Sequence, residues 1–481
     1  MPTYNPSDDI VKLGAEGLDE ILGGGLPGRH LYLLEGGPGT GKTTLALLFL
    51  LEGVSRGETV LYVTLSQTKQ ELDQIARSHG WSLDGIIVED LEARADQRDE
   101  FAQTVLQTAD IQLDRTRESI EDALRQHQPT RLVYDSLLEV RHLSSDVMRY
   151  RREMLGLKSF IAERGIATLA IDTLTDDGES DTELEGLVHG IIHLDKHLPE
   201  YGTAQRRLEV SKMRGVAFAD GWHDMAIRRG TGIEVYPRVV PDLAEENLST
   251  KLVQSGVEKL DAMLDGGMEA GTTTIMTGQA GTGKSTLSSL YAHAALERGE
   301  SVCFFLFEER RETFFRRCEG LGMDMRGHAE SGRLRLYDFT PAQISPGEFS
   351  RTVQRDLREA EVSVVVIDSF TGYLAALPHG GEAVVQLQTL LKYLTRRGVL
   401  VIIVVAQHGL LGNDTETEVD VSFLGDTILL LRMHEERPRI TRSITAVKKR
   451  HGPHDMTVYE LDIQPGGIAI GAYGSNPLVA R

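Results

Sequence analysis

Two copies of a phosphate-binding motif constrain what this chain can fold into. The pattern G-x-x-x-x-G-K-[ST] runs from Gly36 to Thr43 and again from Gly278 to Ser285. In such a loop the glycines let backbone N–H groups surround the phosphates, the lysine reaches the β and γ oxygens, and the hydroxyl binds Mg²⁺. A glycine-rich turn that carries a lysine by chance is the alternative, and two chance matches to the full motif in one chain are far less probable than one. The sequence therefore predicts two ATP sites, each with Mg²⁺.

The surroundings of each motif also fit a nucleotide site. Apolar segments at 30–34 and 273–276 predict buried strands before the loops, and 44–50 and 286–291 predict helices after them. The start of each helix then faces the phosphates. The expected nucleotide contacts in the first copy are Gly36, Gly37, Pro38, Gly39, Thr40, Gly41, Lys42, Thr43 and Thr44. In the second copy they are Gly278, Gln279, Ala280, Gly281, Thr282, Gly283, Lys284, Ser285 and Thr286.

The spacing of the two motifs reveals an internal duplication. They lie 242 residues apart, and the same separation relates the triplet Arg56-Gly57-Glu58 to Arg298-Gly299-Glu300. A constant register over so many residues indicates duplicated domains rather than two isolated loops. We expect a first domain at 1–237, a linker at 238–250 and a second domain at 251–481.

Apolar segments alternate with helical segments inside each copy. The segments 131–135 and 362–368 are the clearest, because they are apolar on both faces. Such strands predict an α/β fold in which a mostly parallel sheet carries helices on both faces.

Two aspartates at strand ends are candidate metal ligands. Asp135 and Asp368 each end an apolar strand and precede a serine. A carboxylate at this place in a phosphate-loop NTPase holds Mg²⁺ together with the loop hydroxyl, here Thr43 or Ser285. Capping of the following helix is the simpler alternative.

The two copies differ where a catalytic base would stand. The second has Glu308-Glu309, whereas the first has Ser66-Gln67 at the same separation of 242. A carboxylate can take a proton from attacking water, while serine and glutamine can only orient it. We therefore expect Glu308, Glu309 and Lys284 to be catalytic, and the first domain to bind ATP but hydrolyse it poorly. A solvated helix start is the alternative for the acidic pair.

Two pairs of basic residues recur near the end of each copy. Lys212 and Arg214 match Lys448 and Arg450 at a separation of 236. On a strand, positions i and i+2 face the same side. Two cations there could contact the γ-phosphate held by a neighbouring subunit, as an arginine finger does. A solvated basic edge that discourages aggregation is the alternative.

Composition narrows the classes of partner. The formal net charge of −21 would repel a nucleic-acid backbone, so nucleic acid is not an expected ligand. Two cysteines, Cys303 and Cys318, form no disulfide or metal pattern. The chain shows neither a signal peptide nor a run of 18 apolar residues, so we expect a cytoplasmic protein without a membrane partner.

These features together resemble the KaiC family of tandem RecA-type ATPases. The entry segments 17–27 and 256–268 add to the likeness, which covers nearly the whole chain. The resemblance implies two RecA-like P-loop NTPase domains and a homohexameric double ring with ATP between subunits. It also implies that Lys212, Arg214, Lys448 and Arg450 act across the interface.

The resemblance further implies a possible autokinase in the second domain. Ser422 matches the family's serine acceptor, Phe423 replaces its threonine, and Thr417 is the fallback acceptor. A loop hydroxyl without a role is the alternative for Ser422. The chain stops at Arg481 without the family's long tail, so we expect signalling or timing through a protein partner rather than a three-protein oscillator.

Two other functions compete with this interpretation. A DNA-dependent motor is favoured by Gln407-His408, at the end of a strand where RecA-type motors sense the γ-phosphate. A buried polar pair at a strand end is the alternative. An ATP-gated scaffold without turnover is the other possibility.

Overall fold

The computed structural model of the protein divides into two compact units, residues 1–238 and 239–481. It describes residues 10–91, 109–144, 147–174, 182–198, 203–240, 251–340, 344–375, 380–407, 422–436 and 439–473. Among these, every helix is too short or too polar to cross a lipid bilayer.

The first unit contains eleven strands and seven helices in its described residues. The strands are β1 Ile10–Val11, β2 Leu26–Pro27, β3 Leu31–Gly36, β4 Val60–Thr64, β5 Ile86–Asp90, β6 Arg131–Asp135, β7 Ala167–Thr173, β8 Gly190–His197, β9 Gln205–Met213, β10 His223–Arg228 and β11 Gly232–Tyr236. The helices are α1 Glu16–Ile21, α2 Lys42–Ser55, α3 Lys69–Ser78, α4 Ala109–His127, α5 Leu137–His142, α6 Val147–Arg164 and α7 Thr182–Leu187.

The described part of the second unit repeats these numbers. Its strands are β12 Leu252–Val253, β13 Met268–Glu269, β14 Thr273–Gly278, β15 Ser301–Leu306, β16 Leu334–Asp338, β17 Val362–Asp368, β18 Leu400–Ala406, β19 Thr427–Glu436, β20 Arg439–Lys449, β21 Tyr459–Gln464 and β22 Gly467–Ala472. Its helices are α8 Glu258–Met263, α9 Lys284–Glu297, α10 Arg311–Glu319, α11 Met325–Glu330, α12 Pro346–Glu359, α13 Phe370–Ala375 and α14 Gly380–Arg396.

Each unit is built on a nine-stranded sheet with the same strand order. The order is β11-β10-β9-β8-β3-β7-β6-β4-β5 in the first and β22-β21-β20-β19-β14-β18-β17-β15-β16 in the second. The strands from β8 to β5 are parallel, and so are those from β19 to β16. The predicted α/β class, with its mostly parallel sheet, is confirmed.

An antiparallel extension completes each sheet on one side. Strands β9 to β11 and β20 to β22 add to the parallel part as antiparallel neighbours. The sequence interpretation did not foresee this extension. Its strands alternate buried and half-buried residues, and that pattern is a weaker signal than the continuous apolar runs of the central strands.

The central strands are buried on both faces. Along β17, Val364 and Val366 belong to one apolar cluster, while Val365 and Ile367 belong to another on the opposite face. Because side chains alternate along a strand, helices must cover both faces of this sheet. The carboxyl ends of the parallel strands are therefore left as the place where loops can build a site.

Candidate nucleotide sites and family

Both phosphate loops join a central strand to the helix that follows it. The loop glycines are needed because a Cβ on Gly278 would lie 2.2 Å from the Leu431 carbonyl oxygen on the next strand, and Gly36 faces Leu194 at 2.3 Å. Gly283, which precedes α9, has a φ of 100°, in the left-handed region that favours glycine. The two loops therefore share a backbone conformation in which these positions require glycine.

The loop lysines are buried and bound to their own loops. Lys284 Nζ donates to the carbonyl oxygens of Gly278 and Gln279, both at 2.7 Å. Lys42 Nζ does the same with Gly36 at 2.6 Å and Gly37 at 2.9 Å. Burial lowers the pKa of Lys284 to about 8, although the carboxylates of Asp368 and Glu308 oppose this shift. Thr40 and Thr282 close each loop through hydrogen bonds to the carbonyls three residues earlier.

In the second domain the strand-end aspartate meets the loop hydroxyl. Ser285 Oγ donates to Asp368 Oδ1 at 3.2 Å, as expected for a shared metal site. Asp368 Oδ2 is buried and has no hydrogen-bond partner among the described residues. Burial raises the pKa of Asp368 to about 6. A hydroxyl beside a carboxylate with an unsatisfied oxygen fits Mg²⁺, which prefers oxygen ligands.

The acidic pair, Glu308 and Glu309, lies beside this candidate metal site, and the two carboxylates have different partners. Both glutamates line an open cleft of about 600 Å³ together with Ser285, Asp368 and Arg317. Glu308 is exposed, and its carboxylate accepts a short hydrogen bond from Ser369 Oγ. Glu309 instead forms a bidentate pair with Arg317, at 3.1 and 2.7 Å. Glu308 is therefore the carboxylate that remains open toward the cleft.

The first-domain site has the same loop but a different set of side chains. Tyr62 donates to Asp135 Oδ2 at 2.6 Å, whereas the second domain has Phe304 at the corresponding position. Burial raises the pKa of Asp135, while the tyrosine hydrogen bond and Lys42 oppose that shift. Ser66 and Gln67 line an open cleft beside α3 that, unlike the cleft of the second domain, is not lined by the loop hydroxyl or the strand-end aspartate.

Sequence reasoning missed one further carboxylate in the first site. Asp172 lies at the end of β7, is buried, and forms an ion pair with Arg141. It contributes with Asp135 to the charge around Lys42. Its counterpart in the strand register of the second domain is Val405. Comparison of the two copies strand by strand would have exposed this difference.

Two arginines that hold the phosphate loops were also missed. Arg442 Nε donates to the Gly281 carbonyl at 3.0 Å, and Arg206 donates to the equivalent Gly39 carbonyl at 3.4 Å. These arginines are 236 residues apart, the separation that relates the predicted basic pairs. Extending that register by a few residues would have found them.

The predicted basic pairs lie at the opposite end of the sheet from their own loops. Lys448 is opposite Ile428, near the start of the strand beside β14, and its Nζ donates to Gly425 O at 2.7 Å. Arg450 pairs with Asp426 at 3.2 Å. In the first domain, Lys212 and Arg214 donate to the carbonyls of Glu185 and Gly186. None of these four cations lies at its own chain's phosphate loop.

The candidate phosphoacceptor lies at that same end. Ser422 is exposed, and its carbonyl accepts a hydrogen bond from Lys448 Nζ at 3.0 Å. Thr417 and His408 lie outside the described residues. Gln407 follows β18 and its N–H donates to Gly278 O at 3.0 Å, which places it beside the phosphate loop.

Comparison with known proteins accounts for this duplicated arrangement. A family model described as the KaiC ATPase matches residues 11–240 and again residues 253–475. The chain belongs to the KaiC ATPase family. The circadian clock protein KaiC3 of Synechocystis sp. is 27% identical over 471 residues, covering 97% of this chain and 92% of that protein. The circadian clock oscillator protein KaiC of Thermostichus vulcanus is 27% identical over 481 residues, covering 98% and 90%. The expected family and the RecA-like tandem architecture of this KaiC relative are thereby confirmed.

Proposed function

We propose that this KaiC-family ATPase hydrolyses ATP mainly in its second domain and holds ATP in its first. The observation that carries the proposal is the group formed by Ser285, Asp368 and Glu308 at one end of the second sheet. The first domain has a phosphate loop that can bind ATP, but Ser66 occupies the position of Glu308, so the general base is replaced by a hydroxyl.

Each residue of the second site has a distinct part in hydrolysis. Lys284 neutralises charge on the β and γ oxygens, and Ser285 and Asp368 would hold Mg²⁺, which supplies electrostatic stabilisation of the transferred phosphoryl group. Glu308 takes the proton from the attacking water, and the bond from the γ-phosphorus to the bridging oxygen breaks to release ADP and phosphate. Ser369 keeps the Glu308 carboxylate in place through its hydroxyl.

We further propose that ATP is bound between subunits of a homohexamer. The support is the position of Lys448 and Arg450, which lie far from their own loop and can complete a site only on a neighbour. Bound nucleotide stabilises whichever assembly holds it. ATP and Mg²⁺ should therefore raise the mass measured by light scattering to that of a hexamer, and a monomer at saturating ATP would exclude the ring.

Turnover measurements on full-length variants test the division of labour. Glu308→Gln should lower turnover by about 10²-fold or more, the usual scale for losing a general base. Lys42→Ala should weaken binding or assembly and spare turnover per assembled chain, while Lys284→Ala should abolish it. Turnover that survives Glu308→Gln but is lost in assembled Lys42→Ala would show that the domains have the reverse roles. Turnover of the assembled unaltered chain that is no higher than that of Lys284→Ala would favour the scaffold.

Autophosphorylation of Ser422 is a second candidate activity. Its support is an exposed serine in contact with Lys448, one of the cations proposed to reach a neighbour's γ-phosphate. Transfer would have to come from another subunit, because Ser422 lies at the opposite end of the sheet from its own loop. Phosphopeptide mapping after ATP incubation, run beside Ser422→Ala and covering Thr417, decides the matter. An unmodified segment in an active hexamer leaves an ATPase alone.

The names of the relatives connect them with circadian clocks, and we propose a timing or signalling role through a protein partner. The DNA-motor alternative is tested by retention on single-stranded DNA at low salt, which should fall steeply as salt rises if phosphates are bound.

A further inference from the structure

The far end of the second-domain phosphate-loop helix carries a cluster that nucleotide chemistry does not use. His293 and Glu297 are one turn apart on α9, and His328 faces them from α11. One ligand atom from each residue lies within 4.8 Å of the other two. Glu297 Oε1 is 2.9 Å from His328 Nε2 and 3.7 Å from His293 Nε2.

We propose that His293, Glu297 and His328 form a binding site for a divalent transition metal of the zinc class. Two imidazoles and a carboxylate are ligands that Zn²⁺ accepts, at about 2.0 to 2.2 Å from each donor atom. In a tetrahedral arrangement those distances separate donor atoms by about 3.3 to 3.6 Å. The observed 2.9 and 3.7 Å bracket this value, and the exposed Glu297 can adjust.

The burial of His328 supports a ligand role over simple packing. The residue is only 7% exposed, and its Nδ1 is buried without a hydrogen-bond partner among the described residues. The support comes from the burial of the ring, because close packing fixes it with Nε2 toward Glu297. An ion bound at Nε2 would leave Nδ1 as it is. The two rings meet edge to face, with centroids 5.8 Å apart, and Nε2 of each ring lies within 3.7 Å of Glu297 Oε1.

The first domain shows that the shared fold does not need this cluster. Helix α2 has the same length as α9, and the repeat places Leu51 and Ser55 at the positions of His293 and Glu297. The site is thus a feature of the second copy alone. A bound ion would tie α11 to the end of the helix whose first residue is Lys284.

The copies also supply variants that the helix should tolerate. The double variant His293→Leu/Glu297→Ser installs the residues found in the first domain. His451→Ala, which changes an exposed histidine in a bend of the same unit, is the matched control. All should be made in the full chain without an affinity tag, freed of nucleotide and stripped with a chelator.

The test is titration with Co²⁺, followed by competition with Zn²⁺. We expect the unaltered chain and His451→Ala to bind Co²⁺ saturably, with visible absorption typical of low coordination number, and Zn²⁺ to displace it. The double variant should lose at least about 100-fold in affinity, since even indirect contacts to a metal are worth 10 to 100-fold. Zn²⁺ should also raise the unfolding temperature of the unaltered chain and leave the double variant unchanged.

Two results would overturn the proposal. One is the absence of saturable Co²⁺ binding in the unaltered chain, which would leave a hydrogen-bonded cluster only. The other is equal affinity in the double variant, which would assign the binding to surface histidines. Either outcome is independent of whether the second domain hydrolyses ATP.

Discussion

Replacing Arg317 by isoleucine should destabilise the second domain, and a second change should largely restore it. The repeat places Gln67 and Ile75 of the first domain at the positions of Glu309 and Arg317. The guanidinium makes two hydrogen bonds to Glu309, lies over the Phe314 ring at 5.3 Å, and donates to Ser285 O at 3.2 Å. Arg317→Ile therefore leaves the Glu309 carboxylate without its counter-charge.

The expected magnitude follows from burial. Breaking a fully buried ion pair costs about 3 to 5 kcal/mol. Here the side chains of Arg317 and Glu309 are 22% and 21% exposed, so water offsets part of the loss and we expect about 2 to 3 kcal/mol. Glu309→Gln replaces one of the two accepting oxygens by an NH2 group, so the guanidinium keeps one hydrogen bond to residue 309, and the change should cost about 1 to 2 kcal/mol. The double variant, which carries the first-domain pair, should cost no more than about 1 kcal/mol because the unpaired charge is gone.

The chain provides its own control for the measurement. Its two tryptophans, Trp81 and Trp222, both lie in the first unit, so tryptophan fluorescence in denaturant reports that unit alone. Far-ultraviolet circular dichroism reports both units. We expect the variants to shift the dichroism transition and to leave the fluorescence transition in place. Additive effects of the two single changes would refute the reasoning, because contacting charges must show coupling.

Three further changes test other parts of the structure. Tyr62→Phe should cost the nucleotide-free first unit about 1 to 3 kcal/mol, because the buried Asp135 loses a partner, and less with Mg²⁺ and ATP present; equal losses in fluorescence-detected unfolding would contradict this. Burial raises the pKa of Asp19 to about 6, above its unfolded value of about 3.9, so the folded state favours the protonated carboxyl. The resulting contribution to the free energy of unfolding is fully present below about pH 4 and is lost as pH rises through about 6. Asp19→Asn should remove that slope from stability measured against pH, and parallel curves would show that Asp19 is not its source. Burial raises the pKa of the Cys318 thiol to about 11, and it also raises the pKa of the Cys303 thiol. Iodoacetamide should therefore label neither before unfolding, as mass spectrometry can check.

The features predicted correctly from the sequence are those encoded by short, continuous signals. The strand 131–135 and the strand 362–368 are bounded in the structure as the apolar runs predict. The phosphate loops were equally accessible, because their glycines and lysines are adjacent in the chain. The proximity of Ser285 to Asp368 followed from the motif, in which the loop hydroxyl and a strand-end carboxylate are expected to share Mg²⁺, while the metal role itself stays a prediction.

The features missed depend on neighbours that are distant in the sequence. From the sequence, Glu309 and Glu308 are equivalent candidates for the base; in the structure, Arg317 of α10 pairs with Glu309 and distinguishes the two. The sequence predicts Tyr62 as a strand residue but does not show its hydrogen bond to Asp135, because the two residues are 73 positions apart. Side chains of this kind are chosen by tertiary contacts, and a single sequence shows no periodicity that marks them.

The separation of Lys448 from its own phosphate loop has a consequence for genetics. If one subunit supplies the loop and its neighbour supplies the cations, each active site is built from two copies of the chain. Chains carrying Lys284→Ala and chains carrying Lys448→Ala with Arg450→Ala would each be inactive alone. Random co-assembly in equal amounts would still create an intact pairing at roughly one quarter of the interfaces. Two defective alleles should thus complement each other within one ring, whereas a site contained in a single chain would never recover.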